Sequence, residues 1–408
     1  MKILFVTNQI PFPPDSGIRI PSYHSMRLMQ EAGHELALAT LTVENEEVDE
    51  RFRVVSNLCV KSMTFKEILT DRHPVNIHIT AGLKNRLSFV EKYDSRKFRD
   101  KLTTLINKFS PSVIHFDLIP MVQYYDLTPP GVGAVASIND SYSLGLESML
   151  GAMNRFTINY VHKRWQYSKV RSYEKLMYTK FHQVHVMSEI DKRYLQDLNP
   201  RLTVSVIPNG VEPSLFDVAG DTRLMTDVIF VGTLESDNLI YLQRFLRHSW
   251  PIVSKRFPNA RFKIVGKVGR EAQDLKKQYD SQHGVNFTGY VEELAEAYRT
   301  CGIAVAPINK DCGIVNKVIE SMAAGLVVVG FKKTFSGIPQ AKSGVHFIEA
   351  SDYEDMGIAI INLLDNTVCC EELKIAAHQL AMKFYSWADR KDAYFQMYRS
   401  AAEDATTS

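Results

Sequence analysis

From about position 225 the chain repeats one pattern, a short and continuously apolar run followed by a stretch with helical periodicity. The pattern predicts strands at 227–231, 261–265, 285–287, 303–306 and 326–330, with helices at 238–256, 270–282, 292–301 and 315–324. A strand with no polar alternation must be covered on both faces. A helix after each strand carries the chain back to start the next one in the same direction, which gives a parallel sheet with crossover helices. The first half shows the same alternation. Strands are predicted at 2–7, 35–41, 112–116, 133–138 and 183–187, with a helix at 18–32 that stops at Gly33, while 42–92 has no clear period.

A chain of 408 residues exceeds what one core usually organises, so two domains are expected. The punctuation Ile207-Pro208-Asn209-Gly210-Val211 divides the two series. The expected division is 1–205, 206–385, and a C-terminal helix with a short tail at 386–408 that packs back on the first domain. The fold class is α/β, with two Rossmann-like doubly wound domains facing across a cleft. Ligands of such sheets bind at the carboxyl ends of the strands.

Composition narrows the function classes. The net charge of +2 gives no overall attraction to nucleic acid, so an electrostatic partner must meet a local patch. The five cysteines, Cys59, Cys301, Cys312, Cys369 and Cys370, are scattered and form no C-x-x-C pair, which suggests neither a disulfide framework nor a zinc knuckle. No apolar run approaches the roughly 20 residues of a membrane span, and the opening run meets Asn8 and several prolines too early for a secretory signal. A cytoplasmic protein is expected.

Four places can carry chemistry. After the first strand, Pro13-Pro14-Asp15-Ser16-Gly17 leads into a helix, and a turn before a helix amino end suits a diphosphate. Gly17 lets backbone approach a ligand closely; an ordinary proline-rich connection is the plain alternative. After the strand at 303–306, Cys312-Gly313-Ile314-Val315-Asn316-Lys317 opens another helix, in which Lys317 and Glu320 share a face. A cation beside phosphates and a carboxylate one turn on would clamp a nucleoside diphosphate. The alternative is a surface ion pair of little consequence. In the strand at 112–116 and just beyond it, alternation puts His115 and Asp117 on one side. There Asp117 could serve as a site carboxylate or simply cap the next helix, and His115 could be a core histidine. Finally, Asp140 and Ser141 follow a strand end on the ligand side, where helix capping is the alternative.

The stretch 313–325 with the apolar run behind it resembles the donor-site signature of family 4 retaining glycosyltransferases of the GT-B fold. It is closest to bacterial sugar transferases associated with exopolysaccharide and PEP-CTERM sorting systems. Phe230-Val231-Gly232-Thr233-Leu234 with Asp237-Asn238, then Phe262-Lys263-Ile264-Val265-Gly266, and Phe287-Thr288-Gly289-Tyr290-Val291 fall in the family's order. So do Val206-Ile207-Pro208-Asn209-Gly210-Val211 and Pro13-Pro14-Asp15-Ser16-Gly17-Ile18-Arg19. The resemblance covers nearly the whole chain. It implies that Glu320 holds the donor ribose, that Lys317, Asn316, Gly313 and Ile314 lie beside the diphosphate with Gly17 and Gly232, and that Tyr290 and Val291 border the base. It also implies an active-site role for His115 and Asp117 and an acceptor-side place for Asp140 and Ser141.

Two departures stand out. Many members carry a first glutamate where this chain has Cys312, next to Asp311, and Arg and Lys where it has Glu235, Ser236 and Asp237. The phosphate charge then falls to Lys317, helix amides and Arg19. The resemblance implies a retaining, metal-independent hexosyltransferase that uses a nucleoside diphosphate-sugar as substrate and needs no cofactor. Its expected setting is surface polysaccharide or glycoconjugate synthesis. The acceptor would be a carbohydrate, a lipid-linked molecule or another hydroxyl compound. Residues 155–180 combine Lys163, Arg164, Lys169, Arg171, Lys175 and Lys180 with aromatic residues. This is a pattern for peripheral membrane contact, for nucleic acid, or for a solvated helix. A catalytically degenerate donor-binding protein and a transferase acting on nucleic acid are the rival readings.

Overall fold

The computed structural model describes residues 1–42, 48–66, 87–151, 153–219, 227–309 and 313–407. They form two compact units, Met1–Asn209 with Ala388–Ser408, and Gly210–Trp387.

The first unit holds a sheet of seven strands in the order β3-β2-β1-β4-β5-β6-β7. They are β1 (Lys2–Thr7), β2 (Glu35–Thr42), β3 (Lys61–Lys66), β4 (Val113–Asp117), β5 (Gly133–Asn139), β6 (Gln183–Val186) and β7 (Val204–Val206). Every pairing is parallel. Alternation sorts the side chains by face. Leu4, Val6, Ile114 and Phe116 enter one core with Phe98, Leu102 and Phe109 of the helix Arg96–Phe109. On the other face Phe5 and His115 lie ring to ring at 4.8 Å.

That second face is covered partly by the C-terminal helix Lys391–Thr407. It buries Tyr394, Met397, Tyr398, Ala401 and Ala405, which recur at helical spacing. The Tyr398 ring stands edge-on to Phe5 at 6.2 Å. The first unit therefore closes with residues more than 180 positions beyond its other elements.

The second unit holds six parallel strands in the order β10-β9-β8-β11-β12-β13. They are β8 (Val228–Val231), β9 (Phe262–Val265), β10 (Val285–Gly289), β11 (Ile303–Ala306), β12 (Val327–Phe331) and β13 (Ile348–Ala350). Each face carries its own core. Phe230, Phe262, Ile264 and Val305 serve one, and Ile229, Ala304, Val328, Ile319 and Met322 the other.

Several expectations are corrected. Residues 238–256 form two helices, Ser236–His248 and Trp250–Arg256, because Pro251 in the first turn of the second has no N–H to continue the first. The helix expected to reach 282 stops at Tyr279, where Ser281 and His283 take positive φ. The helix at 292–301 shortens to Leu294–Arg299. Strands β3, β7 and β13 lack long apolar runs because each is an edge strand, paired on one side only. The first division comes at 209/210 instead of 205/206, since Val206 pairs with Val186 and belongs to the first sheet. The terminal segment joins the first unit at Ala388.

Candidate functional site

In a doubly wound sheet the chain leaves neighbouring central strands in opposite directions at one point, and loops there leave an opening. In the second unit this point lies between β8 and β11. The loop after β8 begins at Gly232, and the helix Asn316–Ala323 follows β11.

Lys317 reaches back from that helix to the end of β8. Its ammonium donates to Asn238 Oδ1 at 3.1 Å and lies 4.3 Å from the centre of the Phe230 ring. Asn238 in turn donates through Nδ2 to the Thr233 carbonyl at 3.1 Å, which holds the turn in place. A Cβ on Gly232 would fall 2.7 Å from Lys317 Nζ, and the φ of 154° there also disfavours a side chain. The ammonium thus occupies the place that a side chain at position 232 would fill.

The amino end of the same helix adds to this. Val315 occupies the cap position without a side-chain cap, so the helix brings its amide end and positive dipole to the same place. Glu320, one turn along, is half-buried as a residue, but its carboxyl is enclosed. Burial pushes that carboxyl up to about 7, while the Lys317 charge and the Tyr298 hydroxyl pull it down and Glu212 pushes it further up. Near neutral pH it is poised between acceptor-only and donor forms.

The other donor-side residues are placed as follows. Gly313 is buried, and Gly337 packs so tightly that a Cβ there would meet the Gly313 carbonyl oxygen at 1.9 Å. Ile314 and Val291 lean on the core, Asn316 opens the helix, and Tyr290 is 57% exposed after β10. Cys312 and Asp311 lie outside the described residues. Glu235 is exposed where the resemblance expects a cation. Sequence reasoning passed over Asn238 and Gly337 as site residues. The signal for Asn238 was its place in the first turn of the helix behind the Gly232 loop.

In the first unit the corresponding point lies between β1 and β4. Asp117, at the end of β4, is buried and accepts a 2.6 Å hydrogen bond from Ser22 of the helix Arg19–Glu31. Its Oδ1 has no hydrogen-bond partner. Burial pushes its carboxyl up to about 7, with the Ser22 hydroxyl pulling down.

His115 is equally buried, with Nδ1 2.9 Å from the Tyr398 hydroxyl and Nε2 without a partner. Burial, and then His185, lower it to about 3. A neutral imidazole locked beneath the C-terminal helix supports and orients the end of β4; it offers no charge. Arg19 forms an ion pair with Asp15 at 3.1 Å, and Gly17 is exposed beside them.

Ser141 and Asp140 separate. Ser141 is buried, its hydroxyl donating to Glu174 Oε2 at 3.1 Å and its amide to Asp191 Oδ1 at 2.8 Å. Glu174 also takes the Tyr142 amide at 2.8 Å and the Ser143 hydroxyl, so it caps the helix Tyr142–Gly151 from another element. Burial nevertheless raises its carboxyl to about 7. Ser141 therefore does structural duty, whereas Asp140 is exposed. Among the described residues no cluster of three His, Cys, Asp or Glu side chains could hold a metal ion, and no helix is long and apolar enough to cross a membrane.

Comparison with known proteins bears on the family and the fold. Residues 22–215 match the family described as Glycosyltransferase Family 4, and residues 226–366 match Glycosyl transferases group 1. No curated protein matches the chain. Among solved structures, sucrose-phosphate synthase from Thermosynechococcus elongatus aligns with a TM-score of 0.69 at 16% identity, over 98% of each chain. HepE from Anabaena, in complex with UDP and glucose, aligns with 0.66 at 12% identity, over 98% of this chain and 100% of that one. TarM from S. aureus, in complex with UDP among other ligands, aligns with 0.68 at 11% identity, over 97% and 99%. Two glycosyltransferase family matches in the order of the two sheets, on a fold shared end to end with such structures, make the chain a glycosyltransferase of the GT-B class.

Proposed function

We propose that the protein transfers a sugar from a nucleoside diphosphate-sugar to an acceptor hydroxyl, with retention of anomeric configuration and without a metal. The observation that carries this reading is the Lys317 ammonium held over the backbone of Gly232 beside an uncapped helix amino end. In that place the diphosphate lies over Gly232, and Lys317 with the helix amides balances the charge that grows on the leaving phosphate. Ionised Glu320 accepts from the ribose hydroxyls, and Tyr290 and Val291 border the base. Uridine is the first nucleotide to try, because the solved HepE and TarM complexes contain UDP.

The acceptor oxygen bonds to the anomeric carbon as the carbon–oxygen bond to the β-phosphate breaks. The departing phosphate takes the hydroxyl proton from the same face. This chemistry needs positioning and charge neutralisation more than a nucleophilic side chain. Asp117, with its unpartnered Oδ1, is assigned to the reacting sugar. Asp140 is assigned to the acceptor side, and Ser141 acts behind it. The setting is cytoplasmic synthesis of a surface polysaccharide or glycoconjugate.

The test is a panel of nucleoside diphosphate-sugars read by ligand-induced melting shift, since a ligand stabilises the native state according to its affinity. One donor raises the melting temperature, and Glu320→Ala abolishes the rise. An undiminished shift in that variant removes the donor-site assignment. Incubation of the binding donor with candidate acceptors, followed by NMR of the anomeric proton in the product, then tests transfer and retention.

A further inference from the structure

The helix Ile158–Met177 presents two unlike faces. Tyr167, Val170 and Glu174 point into the first unit and are buried. On the opposite side Ile158, Val161, Trp165 and Leu176 fall at helical spacing and are 83%, 61%, 56% and 68% exposed. Phe156, just before the helix, is 98% exposed. A row of large apolar side chains at this exposure is costly in water and marks a surface made for contact.

Cations accompany the row. Arg155, Arg164, Arg171, Lys175 and Lys180 are exposed, and Lys169 stacks over the Trp165 ring at 4.3 Å. The only acid in this stretch, Glu174, is turned inward to cap the preceding helix. The paired helix Tyr142–Gly151 adds one exposed acid, Glu147, but also exposed Tyr142 and Met149. Beside the row opens a cavity of about 360 Å³. Ser168, Lys169, Ser172 and Lys180 are among its polar lining, and Leu87, Leu176 and Met177 among its apolar lining. Two ammonium groups and two hydroxyls suit a phosphate, and the apolar wall suits the hydrocarbon attached to one.

We propose that this face docks on an anionic lipid surface, with Phe156, Ile158, Val161 and Trp165 entering the acyl boundary and the flanking cations meeting the headgroup phosphates. Apolar area plus basic flanks is what binds a helix in the plane of a membrane. A nucleic-acid surface would be served by the cations and leave the aliphatic row in water. The proposal stands apart from the donor-site reading, because no residue of that site takes part.

The experiment uses the full chain and vesicles of phosphatidylcholine with or without phosphatidylglycerol. Trp165 is a selective reporter, since Trp250 and Trp387 are each only 2% exposed. Vesicles containing phosphatidylglycerol are expected to shift the emission to the blue and to sediment the protein, while pure phosphatidylcholine does neither. Phe156→Ser with Val161→Ser weakens vesicle binding about tenfold or more. Arg164→Glu with Arg171→Glu does the same, as each cation near such a surface contributes about fivefold. Both variants keep the melting temperature, because every changed residue is exposed. Sedimentation without a change in Trp165 emission overturns the proposal, as does undiminished binding by either variant. Binding to single-stranded DNA in place of vesicles overturns it in favour of nucleic acid.

Discussion

The two sheets arrive at their switch points by the same route and furnish them in opposite ways. Between β8 and β11 the structure leaves backbone bare at Gly232 and sets a cation on it. Between β1 and β4 it places Asp117, buried and held by Ser22, with His115 sealed under Tyr398. The first arrangement sets a positive charge at a strand end, held by Asn238. The second keeps a carboxyl in a low-dielectric place where its ionisation is costly. One topology thus carries a cation over bare backbone in one unit and a buried carboxyl in the other, because topology fixes where loops open and side chains decide what the opening holds.

The contrast can be broken most severely at Gly232. Gly232→Val puts side-chain atoms where Lys317 Nζ lies and strains a φ of 154°, so donor binding is expected to vanish in a calorimetric titration with UDP. At the other switch point, Asp117→Asn is expected to lower the rate of transfer by about a hundredfold or more. Donor affinity should stay unchanged, which separates the roles of the two units. An equal loss of affinity would merge them.

Lys317→Ala is expected to weaken UDP binding by about tenfold to a hundredfold, the scale of a charge-assisted hydrogen bond of about 1.5–3 kcal/mol. The same titration at rising ionic strength should lose its salt dependence.

The raised carboxyls give a pH signature. Glu320 is pushed up to about 7 from an ordinary value of 4.5. If ribose is held by the ionised form, donor affinity falls by about tenfold per unit below pH 7. Glu320→Gln flattens that dependence. Stability runs the other way. A carboxyl whose folded value lies above its unfolded one contributes stability below the ordinary value and loses it as pH rises through about 7. Thermal melting across that window should therefore decline less in Glu320→Gln.

The smallest effect is expected from Ser22→Ala. Its hydroxyl holds Asp117 down, so removal shifts the acid limb of the transfer profile upward by a fraction of a unit, read from kcat against pH. No shift would detach Asp117 from the rate.

Much of this protein was open to reading before any coordinates. Continuous apolar runs such as Val327 to Val329, each beside a helical period, read as strands covered on both faces, and Gly33 ends its helix for want of a side chain, whereas the period of 238–256 hides the break that Pro251 makes. Local periodicity and motif order therefore determined the parallel sheets, the two units and the helix bearing Lys317 and Glu320. The edge strands β3, β7 and β13 escaped because an edge needs no long apolar run. What only the tertiary structure decided depends on pairs far apart in the chain. Lys317 meets Asn238 across 79 positions, Ser22 meets Asp117 across 95, and Tyr398 meets His115 across 283. It also took Ser141 out of the solvent-facing set by giving its hydroxyl to Glu174. Such contacts leave no local period, since they are set by the sheet order and the packing of whole helices, and it is they that turn ordinary polar residues into a site.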